Sequence, residues 1–190
     1  MKKSFTRSIL LQFSAIFCSL LFISSTGCDE TGPARVAVHT DFGDMIIELS
    51  DSTPGHRDNF LKLASEGFYN DLLFHRVIKG FMIQGGDPNT KTPDKTVWGQ
   101  GGPGYNLKAE FNSRSHLRGI VSMARAADPD SASSQFFIVT SDSTFLDKQY
   151  TVFGEVTEGM DVADKIVNLP RDGNDCPEQE AKMLEVTTSE

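Results

Sequence analysis

The stretch FHRVIKGFMIQGGD, residues 74–87, predicts the most distinctive part of the fold. Two short apolar runs flank Lys79-Gly80, a pattern typical of a strand, a tight turn and a second strand. Gly85-Gly86 follows the second run, and paired glycines let the backbone bend sharply because they carry no Cβ. We therefore expect a β-hairpin that is followed at once by an abrupt change of direction.

The predicted hairpin mixes two polar side chains with large apolar ones. Successive side chains of a strand point to opposite faces, so each strand divides into two sets. The expected groups are Phe74 with Arg76 and Ile78, Phe81 with Ile83, and Met82 with Gln84. An arginine and a glutamine beside Phe, Met and Ile suit a pocket that is apolar in the middle, with a few polar groups directed inward.

Two later stretches follow the hairpin along the chain. They are GIVSMARAADPDSASSQFFIVT, residues 119–140, and FLDKQYTVFGEV, residues 145–156. Together with residues 74–87, they resemble the three signatures of the cyclophilins, the peptidyl-prolyl cis/trans isomerases, in the same order and with similar spacing. The resemblance extends from about Arg35 to Val186.

Many short strands and two helices are predicted around these stretches, which indicates a mainly β domain. Further strands are predicted at 36–40, 45–49, 119–123, 135–139, 151–156 and 183–186. Pairing of the last strand with the first would close the sheet. We expect a closed antiparallel β-barrel with a helix over each end. The resemblance implies the same fold, with eight strands and two capping α-helices.

The two helices have recognisable boundaries. The first is predicted to begin with Thr53 as its N-cap, followed by proline in the first position, and to end at Gly67. The second is predicted to stop near Pro170 and to carry one apolar face. That face consists of Val162, Ile166, Val167 and Leu169.

Arg76 is the candidate catalytic residue. Rotation about an X-Pro bond meets a barrier of about 18–20 kcal/mol from lost amide resonance and breaks no covalent bond. At the twisted transition state the proline nitrogen is pyramidal and carries a lone pair, so a catalyst needs a grip on proline and a donor for that nitrogen. By resemblance, Arg76 matches the family's catalytic arginine, whose planar guanidinium is always charged.

The resemblance also implies which residues bind the substrate. The matching positions are Phe81, Met82, Phe137 and Leu146 in a proline pocket, Gln84 and Gln135 at the peptide backbone, and Ala124 and Arg125 at a strand edge. Most members have asparagine where Arg125 stands, and we expect its positive side chain to bias substrate choice. Without the motif, core packing would be the first interpretation of Phe81, Met82 and Phe137.

Two further pocket positions differ from many eukaryotic members. Phe145 stands where those members have tryptophan, and phenylalanine has no N–H donor, so we expect weak binding of cyclosporin. Tyr150 stands where they have histidine. A tyrosine ring can still form a wall of the pocket, and its hydroxyl can still form a hydrogen bond, so we expect catalysis to tolerate both changes.

Residues 1–27 have the pattern of a secretory signal peptide. A basic start precedes an uncharged, mostly apolar run from Ile9 to Ile23, and small residues lead to Cys28. This resembles a bacterial lipobox, in which Cys28 becomes the lipidated first residue, although Ser25 stands where leucine is usual. Cleavage nearby without lipidation and an uncleaved anchor are the alternatives.

In this interpretation residues 28–34 form a short tether and residues 35–190 form the isomerase domain. The protein would be exported and held by its lipid on a membrane, facing the periplasm or the cell surface. Its net charge of −8 argues against nucleic acid as a partner. The resemblance implies proline-containing polypeptides as partners. Cys176 would be the only cysteine besides Cys28 in the mature chain, and no Cys/His cluster has metal spacing.

No cofactor and no oligomer are indicated, so we expect a monomer. Two other functions remain open at this point. A binding module would hold proline segments, as a chaperone does, with little turnover. A non-enzymatic structural lipoprotein is the third interpretation, and the complete set of pocket residues disfavours it.

Overall fold

The computed structural model describes residues 32–189. The predicted signal peptide, the predicted lipidation site Cys28 and most of the predicted tether lie outside these residues. Residues 32–189 belong to one compact unit. Within the described part of the chain, no helix has the length and apolar character needed to cross a membrane.

The unit contains eight strands and two α-helices. The strands are β1 (Arg35–Thr40), β2 (Gly43–Leu49), β3 (Arg76–Ile78), β4 (Met82–Gly85), β5 (Ile120–Met123), β6 (Phe136–Val139), β7 (Val152–Glu158) and β8 (Met183–Ser189). The helices are α1 (Pro54–Ser65) and α2 (Met160–Val167). The mainly β prediction with two helices is confirmed, and the hairpin of residues 74–87 forms β3 and β4.

All eight strands belong to one antiparallel sheet with the order β3-β4-β6-β5-β7-β2-β1-β8. The last strand does pair with the first, as predicted. That pairing does not close the sheet, because β1 already pairs with β2 and β3 remains at the opposite edge. The sheet is an open half-barrel, and the prediction of a closed barrel is wrong.

The barrel stays open because a loop, and not strand β8, lies along the outer edge of β3. The loop between α2 and β8 covers this edge, because the Val77 N–H donates to the Asp175 carbonyl oxygen (2.8 Å) and Arg171 Nη1 donates to the Val77 carbonyl oxygen (2.9 Å). The segment before β3 reaches the start of β8, where the Met183 N–H donates to the Leu72 carbonyl oxygen (2.8 Å) and the Asp71 N–H donates to the Met183 carbonyl oxygen (2.8 Å). Among residues 32–189, no ladder joins β3 to β8.

Helix α1 begins where predicted but is capped by a distant residue. Thr53 occupies the N-cap position without a side-chain capping bond. The Glu110 carboxylate instead accepts the N–H groups of Gly55 (3.1 Å) and His56 (3.0 Å) and contacts His56 Nδ1 (2.6 Å). Gly67 follows the helix at φ +67° and its N–H donates to the Ala64 carbonyl, as expected for a C-terminal glycine.

The sheet is apolar on both faces, and each face has its own cluster. Strand β6 shows the division most clearly, because Phe136 and Ile138 join the large core while Phe137 and Val139 join a smaller cluster. The large core includes edge-to-face aromatic contacts of Phe136 with Phe60 (5.3 Å between ring centroids). Helix α1 packs on β7 and β8, and α2 packs on β2, β3 and β4.

Two side chains of the hairpin lie on the face opposite to that predicted. Phe74 belongs to the large core together with Val77, whereas Ile78 packs against the smaller cluster. Phe81 also packs against the smaller cluster, away from Ile83. Strict alternation failed here because β3 begins only at Arg76 and β4 only at Met82, so neither phenylalanine is in a strand.

Gly86 is the tightest backbone position next to the hairpin, and its replacement should be costly. It lies at φ +85°, and a Cβ there would be 2.4 Å from the Ser134 carbonyl oxygen. We expect Gly86→Ala to lower the free energy of unfolding by at least about 3 kcal/mol, from backbone strain and the clash together. Urea unfolding of the purified protein would measure this.

Gly80 provides the matched control. It also has positive φ (+75°), but a Cβ would meet nothing within 4 Å. Gly80→Ala should therefore cost only about 1–2 kcal/mol, the ordinary penalty for a left-handed residue with a side chain. Equal losses in the two variants would show that the contact with Ser134 does not matter.

Candidate active site

The smaller apolar cluster lies beneath a cavity of about 350 Å³. The lining residues are Arg76, Phe81, Met82, Gln84, Ala124, Arg125, Phe137, Leu146 and Tyr150. Two predicted site residues are absent from this lining. Gln135 lies beside it and receives a hydrogen bond from Gln84, and the Phe145 ring lies 5.6 Å from the ring of Phe81 at the rim. The structure thus brings the predicted residues together at one place.

Strand pairing and one short turn build the apolar part of the cavity. In the β4–β6 ladder, Gln84 is opposite Phe137, and Met82 is opposite Val139, so their side chains share the outer face. A turn at Thr144–Leu146 brings in Leu146, and Tyr150 meets Phe137 edge to face at 5.7 Å. The result is a cavity with an apolar part formed by Met82, Phe137 and Leu146, which can hold an apolar ring.

A chain of polar groups forms the other side of the cavity. Arg76 Nη1 lies 3.5 Å from Gln84 Oε1, Gln84 Nε2 donates to Gln135 Oε1 (3.1 Å), and Gln135 Nε2 donates to the Gly101 carbonyl oxygen (2.9 Å). The Arg76 side chain is 43% exposed, so its guanidinium borders both the cavity and solvent. Arg76 Nε lies 3.5 Å from Asp175 Oδ2, a contact that the sequence did not indicate.

The side chain of Arg125 is directed at the protein's own backbone. Its Nε and Nη2 donate to the Gln149 carbonyl oxygen (3.1 and 3.0 Å), and Nη1 donates to the carbonyl oxygens of Ala126 (2.8 Å) and Ala127 (3.2 Å). The guanidinium also lies 4.6 Å from the centre of the Tyr150 ring. This geometry favours a clamp between two walls of the site over the predicted bias in substrate charge.

A buried polar group that the sequence analysis did not identify supports the base of the cavity. His116 Nδ1 contacts Asp147 Oδ1 (3.0 Å), its Nε2 contacts Ser122 Oγ (3.1 Å), and its ring stacks on Phe137 (6.1 Å between centroids). Hydrogen bonds from the His116 N–H, from its ring and from the Ser115 hydroxyl lower the pKa of the Asp147 carboxyl. This serine, histidine and aspartate resemble a nucleophilic triad in residue type only, because Ser122 and His116 are fully buried.

A second cavity of about 630 Å³ continues the first. The two share Gln84, Ala124 and Arg125, and the second extends along the glycine-rich segment Gly99–Gly102. Part of the irregular segment 88–103 therefore forms a rim beside the site. Trp98 lines neither of these two cavities, and its indole N–H donates to the Thr92 carbonyl oxygen (3.1 Å), as a packing anchor would.

Comparison with known proteins agrees with this fold. Residues 35–188 match the family model described as cyclophilin type peptidyl-prolyl cis-trans isomerase/CLD. The chain is 40% identical over 195 residues to a "Probable peptidyl-prolyl cis-trans isomerase" of Brucella suis, which covers 97% of this chain and 96% of the relative. It is 42% identical over 156 residues to "Peptidyl-prolyl cis-trans isomerase-like 3" of Dictyostelium discoideum, covering 80% of this chain and 93% of the relative.

A solved structure shows the same similarity in three dimensions. The cyclophilin type peptidyl-prolyl cis-trans isomerase of Cryptosporidium parvum, crystallised in the presence of the dipeptide Ala-Pro, superimposes with a TM-score of 0.75 at 33% identity. The superposition covers 82% of this chain and 99% of that one. The chain therefore belongs to the cyclophilin family and is a peptidyl-prolyl cis-trans isomerase.

The Arg125 clamp can be tested by removing its charge and donors. Arg125→Met loses every contact to Gln149, Ala126 and Ala127, so the walls of the site should separate more freely. We expect KM for proline peptides to rise about three- to tenfold, equivalent to about 1 kcal/mol of binding free energy. Arg57→Met is the matched control, since Arg57 pairs with Asp51 and Asp58 and lines neither cavity.

Substrate charge distinguishes the two interpretations of Arg125. A clamp predicts equal effects of Arg125→Met on peptides with acidic and with basic residues beside proline. Loss of activity confined to the acidic peptides would favour the predicted charge bias instead.

Proposed function

We propose that Arg76 is the catalytic residue of this isomerase and that the cavity beside it binds the proline ring. The observation that carries the proposal is the position of the Arg76 guanidinium, at the border of an apolar cavity lined by Met82, Phe137 and Leu146. Gln84 and Gln135 supply amide groups on the same side, where a peptide backbone would lie. Phe81, Tyr150 and Phe145 complete the walls and the rim.

The mechanism that fits this arrangement involves no covalent intermediate. Apolar contacts would hold proline while the rest of the chain rotates about the X-Pro bond. As resonance is lost, the proline nitrogen gains a lone pair, and a guanidinium N–H can donate to it. Arginine suits this role because it stays charged at any physiological pH and offers several donors in one plane.

The shape of the site favours a polypeptide as the substrate. The second cavity leaves room for residues that flank the proline, and Ala124, Arg125 and Ala126 are part of its lining. The related Cryptosporidium isomerase was crystallised with Ala-Pro, a proline-containing ligand. We therefore propose proline-containing polypeptides as partners of this chain, which acts as a monomer without a cofactor.

Export and membrane attachment belong to the same proposal. Residues 1–27 would direct secretion, Cys28 would carry lipid, and residues 28–34 would keep the domain close to the membrane. The substrates would then be proteins that fold outside the cytoplasm, at the periplasmic side of a membrane or at the cell surface. The support for this part is the sequence pattern of the N-terminus.

Arg76→Ala tests the assignment of the catalytic residue. We expect kcat/KM for an Ala-Pro-Phe peptide to fall about 10²- to 10³-fold, as is usual when a transition-state donor is removed, with the fold intact. Uncatalysed exchange takes about 10–100 s at 25 °C, so acceleration by the wild type is easily followed. Lys79→Ala, an exposed change in the same hairpin, should leave the rate unchanged.

Peptide binding separates the enzyme from the binding module. If Arg76→Ala turns over as fast as the wild type, the assignment is wrong. If the wild type binds proline peptides without accelerating exchange, the chain acts as a binding module that holds proline segments without turnover.

Cys28→Ser tests lipid attachment. In a bacterial host that processes lipoproteins, the wild type should incorporate labelled palmitate and sediment with membranes. The variant should do neither, because it lacks the thiol that accepts the lipid. Cys176→Ser keeps Cys28 and should behave as the wild type. Membrane attachment of Cys28→Ser without label would indicate an uncleaved anchor.

A further inference from the structure

The loop between α2 and β8 brings a carboxylate to Arg76. Asp175 Oδ2 lies 3.5 Å from Arg76 Nε, while Asp175 Oδ1 lies 3.0 Å from Arg171 Nη1. Arg76 Nη1 faces Gln84 on the other side, at 3.5 Å from its Oε1. Two groups from different parts of the chain therefore hold one guanidinium, one at Nε and one at Nη1.

The loop that carries Asp175 is fixed at several points. The Asp175 backbone carbonyl accepts the Val77 N–H (2.8 Å), and Arg171 donates to the Val77 carbonyl oxygen (2.9 Å). The loop is therefore hydrogen-bonded to the strand that carries Arg76. The Asp172 carboxylate accepts the N–H groups of Asn174 (2.8 Å) and Cys176 (3.0 Å). Asp175 itself lies at φ +64°, a conformation that aspartate, asparagine and glycine accept more readily than other residues.

We infer that Asp175 is a positioning residue that orients the guanidinium of Arg76 toward the proline nitrogen. The inference rests on the proposed catalytic role of Arg76. With Nε held by the carboxylate and Nη1 beside Gln84, the guanidinium plane is fixed by contacts on two of its edges. The entropy cost of ordering the long Arg76 side chain is then already contained in the free energy of folding, so it does not add to the barrier for rotation of the substrate.

Exposure argues against a mainly structural role for this ion pair. The Arg76 and Asp175 side chains are 43% and 30% exposed, and ion pairs in such positions contribute little to stability. The loop is already bonded to β3 through the backbone of Asp175 and the side chain of Arg171. The Asp175 carboxylate is therefore not needed to attach the loop to β3. Outside the loop, its main contact is with the guanidinium of Arg76.

Two substitutions separate the carboxylate from the loop conformation. Asp175→Gly removes the side chain and tolerates the positive φ, whereas Asp175→Asn tolerates the same φ and keeps an oxygen acceptor for Arg76 Nε. We expect Asp175→Gly to lower kcat about tenfold with KM within about twofold of the wild type. A mobile Arg76 guanidinium stabilises the transition state less, whereas substrate binding depends little on its orientation. Asp175→Asn should retain kcat within about threefold.

A double-mutant cycle with Arg76 distinguishes positioning from folding. In the Arg76→Ala background, assayed at higher enzyme concentration, Asp175→Gly should cause no further loss, because no guanidinium remains to be oriented. Asn174→Gly makes the backbone of the same loop more flexible while keeping the N–H bond to Asp172 and the side chain of Asp175, so it serves as the matched control. Its turnover should equal that of the wild type.

Two results would overturn the inference while leaving Arg76 as the catalyst. One is an Asp175→Gly variant no slower than Asn174→Gly. The other is a loss of the same factor whether or not Arg76 is present. Wild-type turnover in Arg76→Ala would instead overturn the proposed catalytic role, and the inference about Asp175 would fall with it.

Discussion

The antiparallel pairing of β4 with β6 is the constraint on which the rest of the structure depends. It places Ile83, Phe136 and Ile138 in the large core and leaves Met82 and Phe137 on the outer face. Burial of each such large side chain contributes about 1.5–3 kcal/mol. A shift of the pairing register by one residue would move every side chain of the strand to the opposite face of the sheet and would lose this contribution. The same pairing that stabilises the fold therefore also forms the base of the active site, which needs little additional structure.

The sequence contained the local parts of this fold and lacked signals for the distant contacts. The hairpin, both helices and the apolar residues of the site follow from periodicity, turn residues and family motifs. The Glu110 cap on α1, the Arg125 clamp and the contact of Asp175 with Arg76 join residues far apart in the sequence and leave no local pattern. Closure of the barrel was mispredicted for the same reason, since an irregular loop and not a strand occupies the edge of β3.

Accessibility, more than residue type, decides which groups can act on a substrate. Ser122, His116 and Asp147 have the composition of a hydrolytic triad, yet Ser122 is fully buried opposite Phe137 in the sheet, and its hydroxyl donates to the Thr151 carbonyl oxygen (2.8 Å). Arg76 has no nucleophile beside it but borders an open cavity. Because bond rotation requires a donor and an apolar grip and no bond cleavage, the second arrangement is the one that matches prolyl isomerisation.

A carboxylate beside a catalytic arginine has two opposed effects, and their sizes decide its role. Asp175 reduces the positive potential at the proline nitrogen, but the pair is partly exposed, so solvent limits that reduction to about 1 kcal/mol or less. Arginine remains charged with or without this neighbour. Loss of orientation leaves the donor away from the nitrogen for part of the time, and a tenfold loss of rate corresponds to about 1.4 kcal/mol. Complete removal of a transition-state donor typically costs more, about 2.7–4 kcal/mol. Orientation therefore outweighs the lost potential, which explains how a negatively charged loop can assist a reaction that depends on a positive charge.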